Sequence, residues 1–295
     1  MKILNYNQYV NMINEKLITF GGKAYPKFGQ IVIVCGGGGS GKGFVVSNVL
    51  GIEAKILNVD DVKETLIKMK DTDKLSKLFK EKYGKFLSQV DMANEEDVNN
   101  LHIFVEDHNL AVNTNNTFFK EQAKKKDKAN ALFDVTLKRY PKLPDIVELA
   151  VIGGYDPKNI HLVWVLNNFD MAKKQNSERS RRVAEDILKS THVGCAKTVQ
   201  DILKNADEKV IIDGDIWIYF ANREVDSKLA VSDAGGKYLE DFVCVKIKEQ
   251  GKKIEDYETV MNKDVKVFDS NGKKVETVKL RDKINDYVPV EVPRF

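Results

Sequence analysis

The sequence predicts an α/β fold: a five-stranded parallel sheet in a three-layer sandwich, with a helical insert and a small C-terminal β appendage. Three observations carry this. Five short apolar runs alternate with helical patterns, which is the pattern of a parallel sheet with crossover helices. The first run, closing on Val32-Ile33-Val34-Cys35, passes directly into Gly36-Gly37-Gly38-Gly39-Ser40-Gly41-Lys42-Gly43. The next two runs end at carboxylates, Asp60-Asp61 and Asp134. In such folds the strand C-termini gather along one sheet edge, where ligands bind.

The elements follow in order. Tyr9, Ile13 and Leu17 lie at helical spacing and predict an amphipathic helix over 7–19. A Gly21-Gly22 break and Pro26 precede the first strand, 31–35. The helix after the glycine-rich turn should bury Phe44, Val45, Val46 and Val49. Lys55-Ile56-Leu57-Asn58-Val59 reads as the second strand. Residues 62–128 read as polar helices, with a loop at Asn113-Thr114-Asn115-Asn116-Thr117, and are long enough to form a cap. Ala129-Asn130-Ala131-Leu132-Phe133 is the third strand, a helix spans about 143–152, and Ile160–Leu166 is the fourth strand. Charge-rich helices fill about 168–205, and Lys209-Val210-Ile211-Ile212 reads as the fifth strand, ending at Asp213. In the tail, Val265–Val275 alternates about Asn271-Gly272, which signals a β-hairpin. The expected organisation is an N-terminal helical extension over 1–27, a main domain over 28–222 with the 62–128 insert, and an appendage over 223–295.

Composition bounds the function. The chain has 295 residues, 42% hydrophobic and 31% charged, ordinary for a globular protein with a sizeable core. A net charge of +3 is too small at this length to argue by itself for nucleic acid. Lys124-Lys125-Lys126 reads as a solvated helix face. Cys35, Cys195 and Cys244 are too few and too widely spaced for a disulfide framework or a metal set, so a reducing compartment is expected. The polar opening of the sequence and the lack of a long apolar run lead to the expectation of a cytoplasmic protein without a membrane segment.

The chemistry concentrates in four stations. Gly36, Gly41 and Lys42 fit the Gly-x-x-x-x-Gly-Lys spacing of a phosphate-binding loop. Backbone N–H groups of Gly36, Gly37, Gly38, Gly39, Ser40, Gly41, Lys42 and Gly43 would cradle a nucleotide's phosphates, and Lys42 would reach the outer ones. Gly43 stands where a Ser or Thr hydroxyl commonly binds magnesium. Asp60 and Asp61 follow the second strand. A carboxylate there can accept the proton of an attacking hydroxyl, Asp60 being favoured, and Asp61 can contact substrate. The plain alternative is that one of them caps the next helix. Asp134 is placed to support magnesium through its water shell, or else to cap a turn, and Thr136 can donate to substrate or phosphate. Finally, Arg179, Arg181 and Arg182 fall within four positions after the fourth strand, with Arg179 and Arg182 on one helix side. They can neutralise charge on a transferring phosphoryl group as a mobile lid, or form a solvated basic face. Of the histidines, His161 inside a strand reads as structural, and His192 is a candidate nucleotide contact. Trp164, Trp217 and Phe220 read as core.

Together these stations resemble the zeta-toxin-like group of P-loop kinases, which also resembles phage polynucleotide kinases and chloramphenicol phosphotransferase. The residues that carry the likeness are Gly36–Lys42, Asn58-Val59-Asp60-Asp61-Val62-Lys63, Leu132-Phe133-Asp134-Val135-Thr136 and Asn176–Val183, and it covers about 28–215. Asn159–Gly194 is especially similar to zeta-toxin-like proteins of phage genomes. The resemblance implies an ATP- or GTP-dependent, magnesium-requiring kinase acting on a hydroxyl. Lys42 would bind the β and γ phosphates, Asp60 would activate the hydroxyl, and Arg179 and Arg182 would act on the transition state. The sequence departs from the family at Asp134-Val135-Thr136, where Glu-Gly-Thr is common, and at Gly43. The expected acceptor is a small molecule such as a nucleotide or nucleotide sugar. A polynucleotide 5′-hydroxyl kinase and a non-catalytic nucleotide-binding protein are the rivals, and an antitoxin-like protein partner is in keeping with the resemblance.

Overall fold

Every residue of Ile31–Cys35 (β3) is inaccessible to solvent. Ile31, Ile33 and Cys35 enter one core while Val32 and Val34 enter another, as a central strand covered on both faces requires. The computed structural model describes residues 17–20, 23–46, 50, 52–178, 183–221, 229–231, 237–239, 242–268 and 274–295. Around β3 lies a six-stranded sheet built with Lys55–Leu57 (β4), Ala131–Val135 (β5), Ile160–Leu166 (β6), Ile216–Ala221 (β7) and Phe242–Lys248 (β10). Its order is β10-β7-β6-β3-β5-β4. Five strands run parallel, and β10 closes one edge antiparallel to β7; Leu229–Val231 (β8) and Lys237–Leu239 (β9) form a separate pair, and the helix Lys142–Ile152 (α6) joins β5 to β6. The α/β class and the parallel sheet are therefore as the sequence predicts, with one added strand. Because β3 lies between β5 and β6, the strand order reverses at the end of β3, the place where open α/β sheets bind ligands.

Several expectations need correction. The fifth parallel strand is Ile216–Ala221, not 209–212. Ala206–Lys209 is a short helix (α9), and the wholly buried run Ile216–Ala221 pairs with β6. Gly214 marks the entry: a Cβ there would lie 2.0 Å from the Ile160 carbonyl oxygen. Residues 17–19, read as helix, belong to the strand Leu17–Phe20 (β1), which pairs with Lys23–Pro26 (β2). The rest of that expected helix, 7–16, lies outside the described residues.

The insert is helical, as expected. It holds Val59–Leu66 (α2), Lys74–Tyr83 (α3), Glu95–Asp107 (α4) and Leu110–Gln122 (α5) around its own core of Leu66, Phe79, Leu87, Leu101, Phe104 and Val105. The loop expected at 113–117 does not exist: the segment lies within α5. Thr114 and Thr117 donate their hydroxyls to carbonyls four residues back, so these polar residues are accommodated in the helix. Burial of Phe119, stacked on Phe133 at 5.9 Å, favours continuing the helix.

The tail forms the antiparallel pair Asp264–Phe268 (β11) and Lys274–Lys279 (β12), as expected, though the Asn271-Gly272 tip lies outside the described residues. Met261, Leu280, Ile284 and Phe295 join the main core, and the Phe295 ring stacks on Trp164 at 5.7 Å. Trp164, Trp217 and Phe220 are buried core residues, as read.

At the N-terminal edge of the parallel strands a polar network is sealed from solvent. Asp215, fully buried, accepts the Tyr25 hydroxyl and the Gln250 N–H. The Asp215 N–H donates to His161 Nδ1 at 2.9 Å, so Nε2 carries the ring proton and donates to Gln30 Oε1 at 3.1 Å. His161 is thus a structural residue tying β6 to β3. Burial pushes the Tyr25 phenol far above its ordinary range, keeping it a neutral donor. Tyr25→Phe leaves the buried carboxylate one donor short. Urea unfolding of this variant is expected to show a loss of about 1–3 kcal/mol, and an unchanged midpoint would contradict the network's role.

Candidate active site

The glycine-rich turn is shaped by its neighbours as much as by its own freedom. Gly39 and Gly41 adopt φ of 70° and 92°, a region that side-chain-bearing residues rarely visit. Gly37 is required for a different reason: a Cβ there would lie 2.1 Å from His192 Cδ2. His192 sits on the long helix Glu185–Lys204 (α8), which follows β6 and the helix Phe169–Ser177 (α7). Gly43 meets nothing within 4 Å. The chain then enters a short helix, Lys42–Phe44 (α1), with Val45 buried and Phe44 and Val46 packed against the second core. Val49 lies outside the described residues.

Three of the four stations stand at adjacent strand ends. Register pairs Val34 with Asp134 and Cys35 with Val135, so the turn and Asp134 leave the sheet side by side. Lys42 Nζ lies 3.9 Å from Asp134 Oδ1 and donates to the Gly36 and Gly37 carbonyls at 3.0 Å each. β4 pairs with β5 up to Leu57–Phe133, and Asp60 follows three residues later in the first turn of α2. The Asn58 side chain caps that helix by accepting the Asp61 N–H at 2.6 Å. The capping function read for Asp60 or Asp61 therefore falls to Asn58. The Asp60 carboxylate is about half exposed and stands 3.8 Å from the ammonium of Lys63, which is buried. Thr136 and Asp61 are exposed. Leu137, next to Thr136, is buried in the left-handed region at φ 46°, a local strain that places the turn after β5 under tight constraint. Arg179, Arg181 and Arg182 lie outside the described residues. The flanking ends are joined by Asn176, whose side chain bonds the Val183 N–H at 3.1 Å and the Val183 carbonyl at 2.7 Å.

Three contacts of the turn were not anticipated from the sequence. Gly38 N–H donates to Thr191 Oγ1 at 2.8 Å, and the Gly38 carbonyl accepts from His192 Nε2 at 2.6 Å. Asn167, buried at the end of β6, donates to the Gly39 carbonyl at 3.3 Å. His192, a candidate nucleotide contact by sequence, holds the turn's backbone here. Burial, aided by the positive charge of Lys42, lowers its pKa below the ordinary histidine value, so it is neutral at neutral pH. The sequence did carry a signal. Leu188, His192 and Cys195 share a buried helical stripe in which histidine is the polar exception.

The residues fit a nucleotide's phosphates. Ser40 Oγ is buried in the turn with no hydrogen-bond partner among the described residues, a donor suited to an anion. Among the described residues no group of three or more acidic, histidine or cysteine side chains could hold a metal by itself. Magnesium binds through one or two carboxylates together with phosphates and water, and Asp134, 3.9 Å from Lys42 Nζ, offers one carboxylate of that kind.

No protein-family model matches the chain, and no curated protein matches it by sequence. It is similar in structure to AvrRxo1-ORF1:-ORF2 with ATP, at 14% identity and a TM-score of 0.41 over 78% of this chain and 61% of that one. It is likewise similar to the PezAT chromosomal toxin–antitoxin system of Streptococcus pneumoniae, at 14% identity and a TM-score of 0.41 over 72% of this chain and 74% of that one. This chain thus spans 61% of the length of the first of these proteins.

The packing of the turn separates its glycines. Gly37→Ala must displace His192 or the turn, and is expected to lose roughly 1–3 kcal/mol, whereas Gly43→Ala should stay within about 0.5 kcal/mol of the parent. Thermal unfolding of the pair checks this, and equal effects would contradict it.

Proposed function

We propose that this protein is a P-loop phosphotransferase that moves the γ-phosphoryl group of ATP or GTP to a hydroxyl of a small molecule, such as a nucleotide or nucleotide sugar. The observation that carries the reading is the convergence of turn, lysine and carboxylate at the C-terminal ends of β3 and β5, with Lys42 Nζ 3.9 Å from Asp134.

In this reading the loop Gly36–Gly43 binds the phosphates through backbone N–H groups that its own contacts leave open. Lys42 exchanges the Gly36 and Gly37 carbonyls for the outer phosphates. Asp60, on the helix that links the sheet edge to the insert's core, accepts the proton of the attacking hydroxyl. The acceptor oxygen then bonds to the γ-phosphorus as the bond to the β-γ bridging oxygen breaks, and the nucleoside diphosphate leaves. Arg179 and Arg182, which follow α7 in sequence, neutralise charge on the transferring group. Asp134 would hold magnesium, which supplies charge neutralisation at the phosphates when bound. Asp61 and Thr136 contact the acceptor, and the insert shapes its side of the site.

The sequence resemblance also brings an antitoxin-type protein partner, and a cytoplasmic setting is proposed from the few, widely spaced cysteines. Among the described residues no helix is long and apolar enough to cross a membrane.

The test is transfer of label from γ-labelled ATP, with magnesium, to pooled nucleoside monophosphates, nucleotide sugars and 5′-hydroxyl oligonucleotides. Label is expected on a small-molecule acceptor. Lys42→Ala should lower turnover at least about 10³-fold, and Asp60→Asn about 10²–10⁴-fold, with the melting temperature kept. ATP binding without transfer to any acceptor would overturn the enzyme reading, and label on oligonucleotides alone would replace the acceptor class.

A further inference from the structure

We propose that Thr191 and His192 are positioning residues that hold the phosphate-binding loop in its binding-competent shape. The inference rests on the nucleotide-binding part of the reading above and extends it to residues that touch neither phosphate nor acceptor.

Four consecutive glycines, Gly36–Gly39, make an intrinsically loose segment. Ordering such a segment upon binding costs conformational entropy that would be subtracted from nucleotide affinity. Here the order is supplied beforehand. Thr191 Oγ1 donates its hydroxyl hydrogen to the Leu188 carbonyl at 2.7 Å, which leaves the oxygen to accept the Gly38 N–H at 2.8 Å. His192 is neutral, so it carries one ring N–H, and the Gly38 carbonyl 2.6 Å from Nε2 fixes that hydrogen on Nε2. Both polar groups of Gly38 are thereby bound to one turn of one helix.

The helix side is rigid as well. The His192 ring packs edge-on against Phe169 at 5.5 Å, at the start of α7, and Gly37 lies flat against the ring. Leu188 fills the space beside Gly38, where a Cβ would come within 2.7 Å of its Cδ1. Below the contact α8 is anchored in the main core by Cys195, Val199 and Ile202. The N–H of Gly38 is taken by Thr191, so the clamp withdraws this amide from the set that can meet the phosphates.

The test compares deletion and conservative variants in the full chain. Thr191→Val keeps the shape and removes the acceptor, while Thr191→Ser restores it. His192→Leu removes the donor, while His192→Gln returns a side-chain N–H. A fluorescent ATP analogue is titrated into each, and amide hydrogen exchange is followed across 36–43. Thr191→Val and His192→Leu should each weaken binding roughly tenfold and speed exchange in the loop. Thr191→Ser should bind within about threefold of the parent, and His192→Gln should recover part of the loss. The double variant Thr191→Val/His192→Leu should lose less than the product of the single losses, because both groups hold one residue. Variants that melt lower but bind as the parent does, with loop exchange unchanged, would overturn the proposal. Should the parent itself bind no nucleotide, the phosphotransferase reading fails, and the exchange measurement still judges the clamp: unchanged loop exchange in Thr191→Val overturns it, and faster exchange supports it.

Discussion

The approach of helix α8 to the glycine-rich turn is the constraint on which the rest of the site depends. The helix comes so close that Gly37 has no room for a side chain, and it satisfies both backbone polar groups of Gly38. The same helix reaches the turn after β5. A Cβ on Gly194 would lie 2.5 Å from Lys138 Cγ, and Lys138 Nζ donates to Ser190 Oγ at 3.0 Å. At its far end Gln200 binds the Pro293 and Arg294 carbonyls. One helix therefore fixes the loop, the strand end that carries Asp134, and the C-terminal tail against a common core. Such rigidity is what charge stabilisation demands, since donors aimed in advance need no reorganisation during reaction.

The two edges of the sheet divide the work. At the N-terminal edge, Tyr25, His161, Asp215 and Gln30 form a network with no exposure at Asp215 or His161, so its contribution is to stability. At the C-terminal edge, Lys42, Asp134 and Asp60 stand on consecutive strand ends and are partly open to solvent. Parallel topology makes this division natural: all five parallel strands deliver their following loops to one side, where the strand order also reverses beside β3. The helical insert grows from this C-terminal edge, through α2, so the segment with its own core borders the proposed acceptor side of the site.

Much of this was legible in the sequence wherever burial and periodicity agreed. Ile160–Leu166 is apolar but for His161 because both its faces are covered, and its bounds were read to the residue. The Asn271-Gly272 pair located the hairpin between β11 and β12. The fifth strand was misplaced because Val210-Ile211-Ile212 is itself apolar, while the longer run Ile216–Ala221 wins by pairing with β6. Asn113–Thr117 looked like a loop by composition, yet helical back-bonding by Thr114 and Thr117 and the burial of Phe119 hold it in α5. The loop, Lys42 and the carboxylates were visible as a motif at strand ends. The Thr191–His192 clamp was not, because a contact across 153 positions has no local pattern to betray it beyond one polar residue in an apolar stripe.

A crystal structure with a non-hydrolysable ATP analogue and magnesium tests the central claim most directly. The account predicts the β and γ phosphates against the loop Gly36–Gly43, Lys42 Nζ moved from the Gly36 and Gly37 carbonyls onto them, and Gly38 still held by Thr191 and His192. A nucleotide bound away from this loop, or phosphates out of reach of an unmoved Lys42, would contradict it.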